Sequence, residues 1–141
     1  MPILFDSSVY IRALRAGGEA ALVLQRWARE SPLWLSSVVL EELYAGAARR
    51  DHRILEKLER DFERARRVLV PSLGDWTQAG RVLGRLAEKY GYEQIGRARL
   101  SNDALIVTSA GRAGITVITM NQRDFGRLAE FSPFQWRTGV I

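Results

Sequence analysis

The 141 residues contain no cysteine, which excludes disulfides, thiolate nucleophiles and cysteine-based zinc sites. There is one histidine, His52, so no histidine pair can divide acid and base work between them. Lysine is almost missing as well: Lys57 and Lys89 are the only two among 21 basic residues, so the positive charge is nearly all arginine. No stretch approaches the ~18 consecutive apolar residues that a membrane span requires. The opening MPILFDSSVY has no basic leader followed by a long apolar region, so no secretory signal is expected and a cytoplasmic location is. Internal repeats and Pro/Gly/Ser-rich linkers are also lacking, and residues 1–141 are expected to form a single domain.

What remains is an ordinary globular composition, 47% hydrophobic and 26% charged. The net charge of +5 suits a polyanionic partner such as nucleic acid. Arginine binds phosphate through its forked donors, but an arginine-rich genome would leave the same bias, so charge permits this reading without carrying it.

Short apolar runs alternate with helical patterns along the chain. Strands are expected at ILF (3–5), LWL (33–35), VLV (68–70) and ITVIT (115–119), with an apolar ending FQW near 134–136. Between them, Ser7 or Ser8 can cap a helix through VYIRALRA that Gly17–Gly18 closes, and a second helix fits Glu19–Glu30. Ser36 or Ser37 can cap VVLEELYAGAARR. A charged helix from Asp51 packs Leu55, Leu58 and Phe62, and a helix over 74–91 takes Asp75 as its cap. YEQIGRARL reads as a looser segment, followed by the helix DALIVTSAGRA and the short helix NQRDFGRLAEF. This alternation predicts an α/β fold with a mainly parallel sheet. Ligands of such sheets bind beyond the carboxyl ends of the strands, which is where Asp6 and Asp124 fall.

Each acid has an ordinary explanation. Asp6 can be a turn or cap residue, and Asp124 sits in the first turn of a helix that Asn121 can cap. Asp103 is harder to dismiss, because it lines up with Ile106, Val107 and Ala110 on a packed helix face. A carboxylate there needs a partner: a metal, Arg97 or Arg99, or backbone amides. Glu41 and Glu42 both flank an apolar stripe, and periodicity does not choose between them.

Four segments in order, ILFDSSVYI, EELYAG, DALI and TMNQRDF, together resemble the PIN domain family, and the chain's size resembles its toxin ribonucleases of the VapC type. The resemblance rests on Asp6, Ser7 and Ser8 after the first strand, on Glu42, Leu43 and Gly46, on Asp103 to Ile106, and on Thr119, Asn121, Asp124 and Phe125. It spans nearly the whole chain. Ser8 stands where asparagine is also common. The resemblance implies a three-layer α/β/α sandwich with about five strands and an acidic site of Asp6, Glu42, Asp103 and Asp124 at one end of the sheet. It selects Glu42 over Glu41, and it implies a homodimer and a small antitoxin whose peptide fills a groove and reaches the acids with a basic side chain. Trp27, Trp34 and Tyr44 are candidates for lining that groove, although such residues are usually core.

Oxygen-only ligands suit Mg²⁺ or Mn²⁺. With no cysteine and no plausible histidine base, RNA hydrolysis would depend on metal-activated water. Asp6 and Asp103 are the expected direct ligands, and Asp124 is expected to act mostly through water. Ser7, Thr119 and Asn121 are candidates for orienting the acids; Arg12, Arg97, Arg99 and Arg123 are candidates for guiding phosphate. His52 is expected on the surface. The main rival is a non-catalytic RNA-binding or protein-interaction domain of the same fold, although four clustered acids make a poor RNA surface without metal. A phosphorylated receiver domain fits less well, lacking paired acids after the first strand and a lysine at a late strand end. An Asp-x-Asp phosphatase fits no better, since DSS follows the first strand instead.

Overall fold

Five short parallel strands form the centre of the protein: β1 (Ile3–Phe5), β2 (Leu33–Ser36), β3 (Val68–Leu69), β4 (Thr116–Thr119) and β5 (Trp136–Thr138). The computed structural model describes residues 1–16, 26–27 and 29–139, without the side chains of residues 97 and 98. Gly17–Gly18 and most of the helix expected over Glu19–Glu30 lie outside the described residues; residues 26–27 and 29–30 are helical.

The strand order is β3-β2-β1-β4-β5. The chain moves outward from β1 to β3, then returns past β1 to β4 and β5. Right-handed crossovers therefore put the helices of the two halves on opposite faces of the sheet. The first half supplies α1 (Ser7–Ala16), α2 (Ser37–Gly46) and α3 (His52–Arg64). The second supplies α4 (Leu73–Tyr90), α5 (Tyr92–Ala98), α6 (Ser101–Ala113) and α7 (Gln122–Ala129). Helix α1 packs on α2 and α2 on α3, while α4 packs on α5, α6 and α7. This is the expected three-layer sandwich, and its described strand pairs are all parallel.

Coverage on both faces explains why the central strands read as unbroken apolar runs rather than alternating ones. Ile3, Leu4 and Val117 are wholly buried, as are Val39 of α2 and Ile106, Val107 and Ala110 of α6. Among the described residues, no helix is long and apolar enough to cross a membrane.

Local chemistry shifts several expected boundaries. Ser36 caps α2 by accepting from the amides of Val38 (3.2 Å) and Val39 (3.5 Å). That helix stops at Gly46 instead of running to Arg50: helix propensity falls at glycine, and Ala47 and Ala48 are extended ahead of a 3₁₀ turn at Arg49–Asp51. Ser72, not Asp75, caps α4. Asp75 is the reciprocal half of a capping box, accepting from the Ser72 amide at 2.9 Å. The segment expected to be loose is α5. Gly91 at φ +97° breaks the preceding helix and starts it, and Arg99 in the left-handed region ends it. Neither Ser101 nor Asn102 caps α6. That helix begins from Leu100 with no side-chain cap, because the turn at Arg99 delivers the chain directly into it.

A polar staple fixes α6 against α4. Arg112 Nε donates to both carboxylate oxygens of the buried Asp75, at 3.0 and 2.9 Å, and the Thr108 hydroxyl donates to the Asp75 carbonyl at 3.3 Å. Because α6 carries Asp103 in its first turn, this staple also sets the height of Asp103 over the sheet. His52 is half-buried, edge-on to Tyr44 with ring centroids 5.5 Å apart.

Candidate functional site

The strand order reverses between β1 and β4. At such a switch point the connections on either side lead away to opposite faces and leave a crevice. Asp6 closes β1 and Thr119 closes β4, and the two strands are paired in register to that point.

Asp6 is only 3% exposed, yet it is fully engaged. One carboxylate oxygen accepts from Ser8 Oγ at 2.5 Å, the other from Thr119 Oγ1 at 2.8 Å. The amides of Val9 and Ser8 also bond to it, so Asp6, rather than Ser7 or Ser8, caps α1. Burial raises its pKa above the ordinary value, against the lowering effect of those hydrogen bonds.

Glu42 reaches the same crevice from α2 and is half-buried. Ser7 and Asn102 hydrogen-bond its carboxylate, but Oε1 is buried with no partner. Its pKa is raised, first by burial, with Asp6 and Glu41 adding to the effect. Asn102 also extends to Glu41 at 3.4 Å, so this amide sits over the pair that periodicity left unresolved.

Asp103 comes from the first turn of α6 and is half-buried. Its pKa is pushed up to about 8, mostly by burial and then by the negative charges of Glu42, Asp6 and Asp124. The structure thus brings the other three sequence-predicted acids within electrostatic reach of Asp103. No hydrogen bond or ion pair to Asp103 is formed among the described residues, Arg99 included. Arg99 is exposed, and the side chain of Arg97 lies outside the described set.

Asp124 is held by its own helix. Asn121 caps α7 by accepting from the Asp124 amide at 3.2 Å, and its side-chain amide donates to Asp124 Oδ2 at 2.8 Å. Thr119 links the two halves of the site, since its Oγ1 accepts from the Asn121 amide at 2.9 Å while donating to Asp6. Capping and site-building are therefore done by the same residues.

Two residues contribute more than the sequence signalled. Ser8 accepts from the Met120 amide at 3.1 Å while donating to Asp6, tying the start of α1 to the end of β4. Asn102 holds the Glu41–Glu42 pair, and its position next to Asp103 was the one available hint. Arg12, Arg99 and Arg123 are exposed. Arg12 flanks an open groove that begins at Ser8 and passes Ile11 and Arg15. A second cleft of about 240 Å³ between α1 and α2 includes Ile11, Leu14, Leu43, Arg15 and Arg50 in its lining. Trp27, Trp34 and Tyr44 pack against the core and do not line that cleft.

Among the described residues, no three His, Cys, Asp or Glu side chains come together closely enough to hold a metal ion unaided. The donor set nevertheless fits an open site for a hard cation. It is all oxygen, it leaves Glu42 Oε1 buried and unpaired, and it surrounds Asp103 with three other acids and no cation among the described residues. Mg²⁺ sites of this kind use one or two carboxylates and complete their shell with water and substrate phosphate.

Fold and acids together define an α/β domain with carboxylates gathered at a sheet switch point. Residues 3–131 match the PIN domain family, and the chain belongs to that family. No curated protein matches the chain in sequence. Among solved structures, it is similar to DNA-bound VapBC from Salmonella typhimurium (TM-score 0.71, 22% identity, covering 98% of each chain). It is also similar to VapBC2 from Rickettsia felis bound to a promoter DNA fragment (TM-score 0.64, 21% identity, 99% of this chain and 100% of that one). A third similar structure is VapBC-1 from nontypeable Haemophilus influenzae (TM-score 0.61, 22% identity, 98% of each).

Proposed function

We propose that this protein is a metal-dependent endoribonuclease, the toxin of a toxin–antitoxin pair, with the activity carried by a single PIN domain over residues 1–141. The observation that carries the nuclease reading is Asp103, pushed up to about 8 by three other acids and left without a cationic partner among the described residues. A purely structural carboxylate would be paired, because a buried uncompensated charge is costly.

In this reading Asp6 and Asp103 hold Mg²⁺ or Mn²⁺ directly, Glu42 assists through Oε1, and Asp124 acts through water. The bound ion supplies an activated water and neutralises charge on the phosphoryl group. The chain's own residues preset the geometry. Ser8 and Thr119 fix both oxygens of Asp6, Asn121 fixes Asp124, and Ser7 with Asn102 holds Glu42. Arg12, Arg99 and Arg123 stand exposed around this end of the sheet to draw in phosphate, and Arg97 completes the set expected from the sequence.

The toxin assignment is supported by the similar structures, which are toxin–antitoxin complexes by description. The partners in this reading are an RNA substrate, a cognate antitoxin and a second copy of the chain. The cleft between α1 and α2, where Ile11, Leu14 and Leu43 are joined by Arg15, Arg50 and Asp51, is the proposed seat of the antitoxin segment.

The deciding experiment is a calorimetric titration of Mn²⁺ into the purified protein beside Asp6→Asn and Asp103→Asn, followed by cleavage of an RNA panel with and without EDTA. Binding lost in both variants and cleavage abolished by EDTA are expected. Cleavage that persists in EDTA would remove the metal mechanism. A protein that neither binds Mn²⁺ nor cuts any RNA would return the fold to a binding role.

A further inference from the structure

Four acids at the end of a sheet repel the phosphate they are meant to cut, so something beside them must hold the substrate. The surface next to the site on the β5 side has the chemistry for this. Strand β5 pairs with β4 so that Thr138 lies opposite Thr119, the residue bonded to Asp6, one strand spacing of about 4.8 Å away. The pairing continues to the same height, where the Gly139 amide donates to the Thr119 carbonyl at 2.7 Å.

A groove of about 330 Å³ opens there between β5 and the start of α7, lined by Gln122, Trp136, Arg137 and Thr138. One of its lining residues, Gln122, directly follows the Asn121 that holds Asp124. Trp136 is half-buried. Its indole leans on Phe134, with centroids 6.4 Å apart, and passes over Gly126, where an added Cβ would lie 3.9 Å from the ring. The rest of the ring borders the groove. Arg137 is exposed and forms no ion pair among the described residues, while Gln122 and Thr138 are exposed hydrogen-bonding groups.

A π-face, an uncommitted guanidinium and polar groups along one groove are the elements that hold single-stranded RNA: bases stack on the aromatic ring and phosphates bind the cation. Charge on an edge strand also blocks unwanted strand pairing. That explains Arg137 alone. It does not explain a half-open tryptophan beside it, or a groove whose lining includes Thr138, the strand partner of Thr119.

We propose that this groove is a substrate subsite, in which a nucleotide flanking the cleaved bond stacks on Trp136 while a neighbouring phosphate binds Arg137. The assignment rests on the ribonuclease reading above. It makes Trp136 and Arg137 positioning residues, remote from the reacting phosphate.

The test measures binding of fluorescein-labelled oligouridylate and oligoadenylate by anisotropy over a NaCl series, using the full chain in the Asp103→Asn background with Mg²⁺. Trp136→Leu is expected to weaken binding about tenfold without altering the salt dependence, and Trp136→Phe to retain most of it. Arg137→Ala is expected to weaken binding and to reduce the slope of log K against log salt by about 0.7, one single-strand phosphate contact. In the cleaving protein, the same substitutions raise KM and leave kcat in place. Thermal melts identify the variants that remain folded, and Arg137→Ala, altering an exposed side chain, keeps the test alive if Trp136→Leu unfolds. Unchanged binding, salt slope and KM in folded variants would overturn the subsite while leaving the nuclease intact. A parent protein that neither binds nor cuts any RNA overturns the nuclease reading, and the subsite falls with it.

Discussion

Thr119 Oγ1 donates to Asp6 Oδ2 at 2.8 Å and joins two strands that are 113 positions apart in sequence. The same oxygen accepts from the Asn121 amide, so a single hydroxyl sets the positions of Asp6 and of the turn that carries Asp124. Thr119→Val keeps the shape and removes both bonds. The fold is expected to survive, with Mn²⁺ affinity and RNA cleavage falling about 10- to 100-fold, the usual effect of losing an orienting partner. Calorimetry and cleavage assays on the folded variant check this, and full activity would show that Ser8 alone orients Asp6.

Asp103 predicts an unusual pH dependence for the metal-free protein. The folded state keeps a proton on Asp103 up to about pH 8, whereas an ordinary aspartate has a pKa of 3.8. Between those values the unfolded chain binds fewer protons than the folded one, so stability falls as pH rises. The contribution is complete below 3.8 and lost as pH climbs through about 8; Asp6 and Glu42, also raised, act in the same direction. Melting in EDTA from roughly pH 5.5 to 8.5 should show a declining midpoint. Asp103→Asn should raise the midpoint at the alkaline end and flatten the decline.

Divalent ions should reverse that trend. A carboxylate must lose its proton to bind metal, so affinity grows with pH. Mg²⁺ or Mn²⁺ is expected to raise the melting midpoint more at about pH 8 than at about pH 6, and to have little effect on Asp103→Asn. An equal rise in the variant would place the ion elsewhere.

The staple between α4 and α6 predicts a stability effect separate from chemistry. Asp75→Ala removes the reciprocal half of the capping box and leaves Arg112 without its carboxylate. A loss of about 2–4 kcal/mol in urea unfolding is expected, combining a cap with a charge-assisted pair. Cleavage should persist in whatever fraction stays folded.

Gly111 predicts a steric limit. A Cβ at this position would run into the Pro133 carbonyl oxygen, which is backbone and has little room to move. Gly111→Ala is therefore expected to destabilise by about 1–3 kcal/mol, although alanine is the better helix former. Equilibrium unfolding measures it, and a stabilised variant would mean that the Pro133 segment yields.

The sequence alone determined the architecture and the strand ends at which Asp6 and Asp124 fall, and the reason is local. Runs such as ILF and ITVIT are apolar throughout because both faces of a parallel strand are covered, and Asp6 and Asp124 follow them at the strand ends. Cap chemistry was legible for the same reason, since Ser36 and Asn121 bond to amides two or three residues away. Where several local solutions compete, reading from sequence failed: Ser72 took the cap assigned to Asp75, and Gly91 with Arg99 made a helix of a segment that looked loose.

The tertiary structure decided what local pattern cannot contain. Glu42 rather than Glu41 meets Asp103 because α2 and α6, distant in sequence, converge over the switch point. The shift of Asp103 follows from that convergence, because burial and the sum of three neighbouring charges are properties of the assembled fold. The Trp136 groove has the same origin. An apolar ending after residue 133 reads as core, and only the pairing of β5 with β4 places it beside the acids.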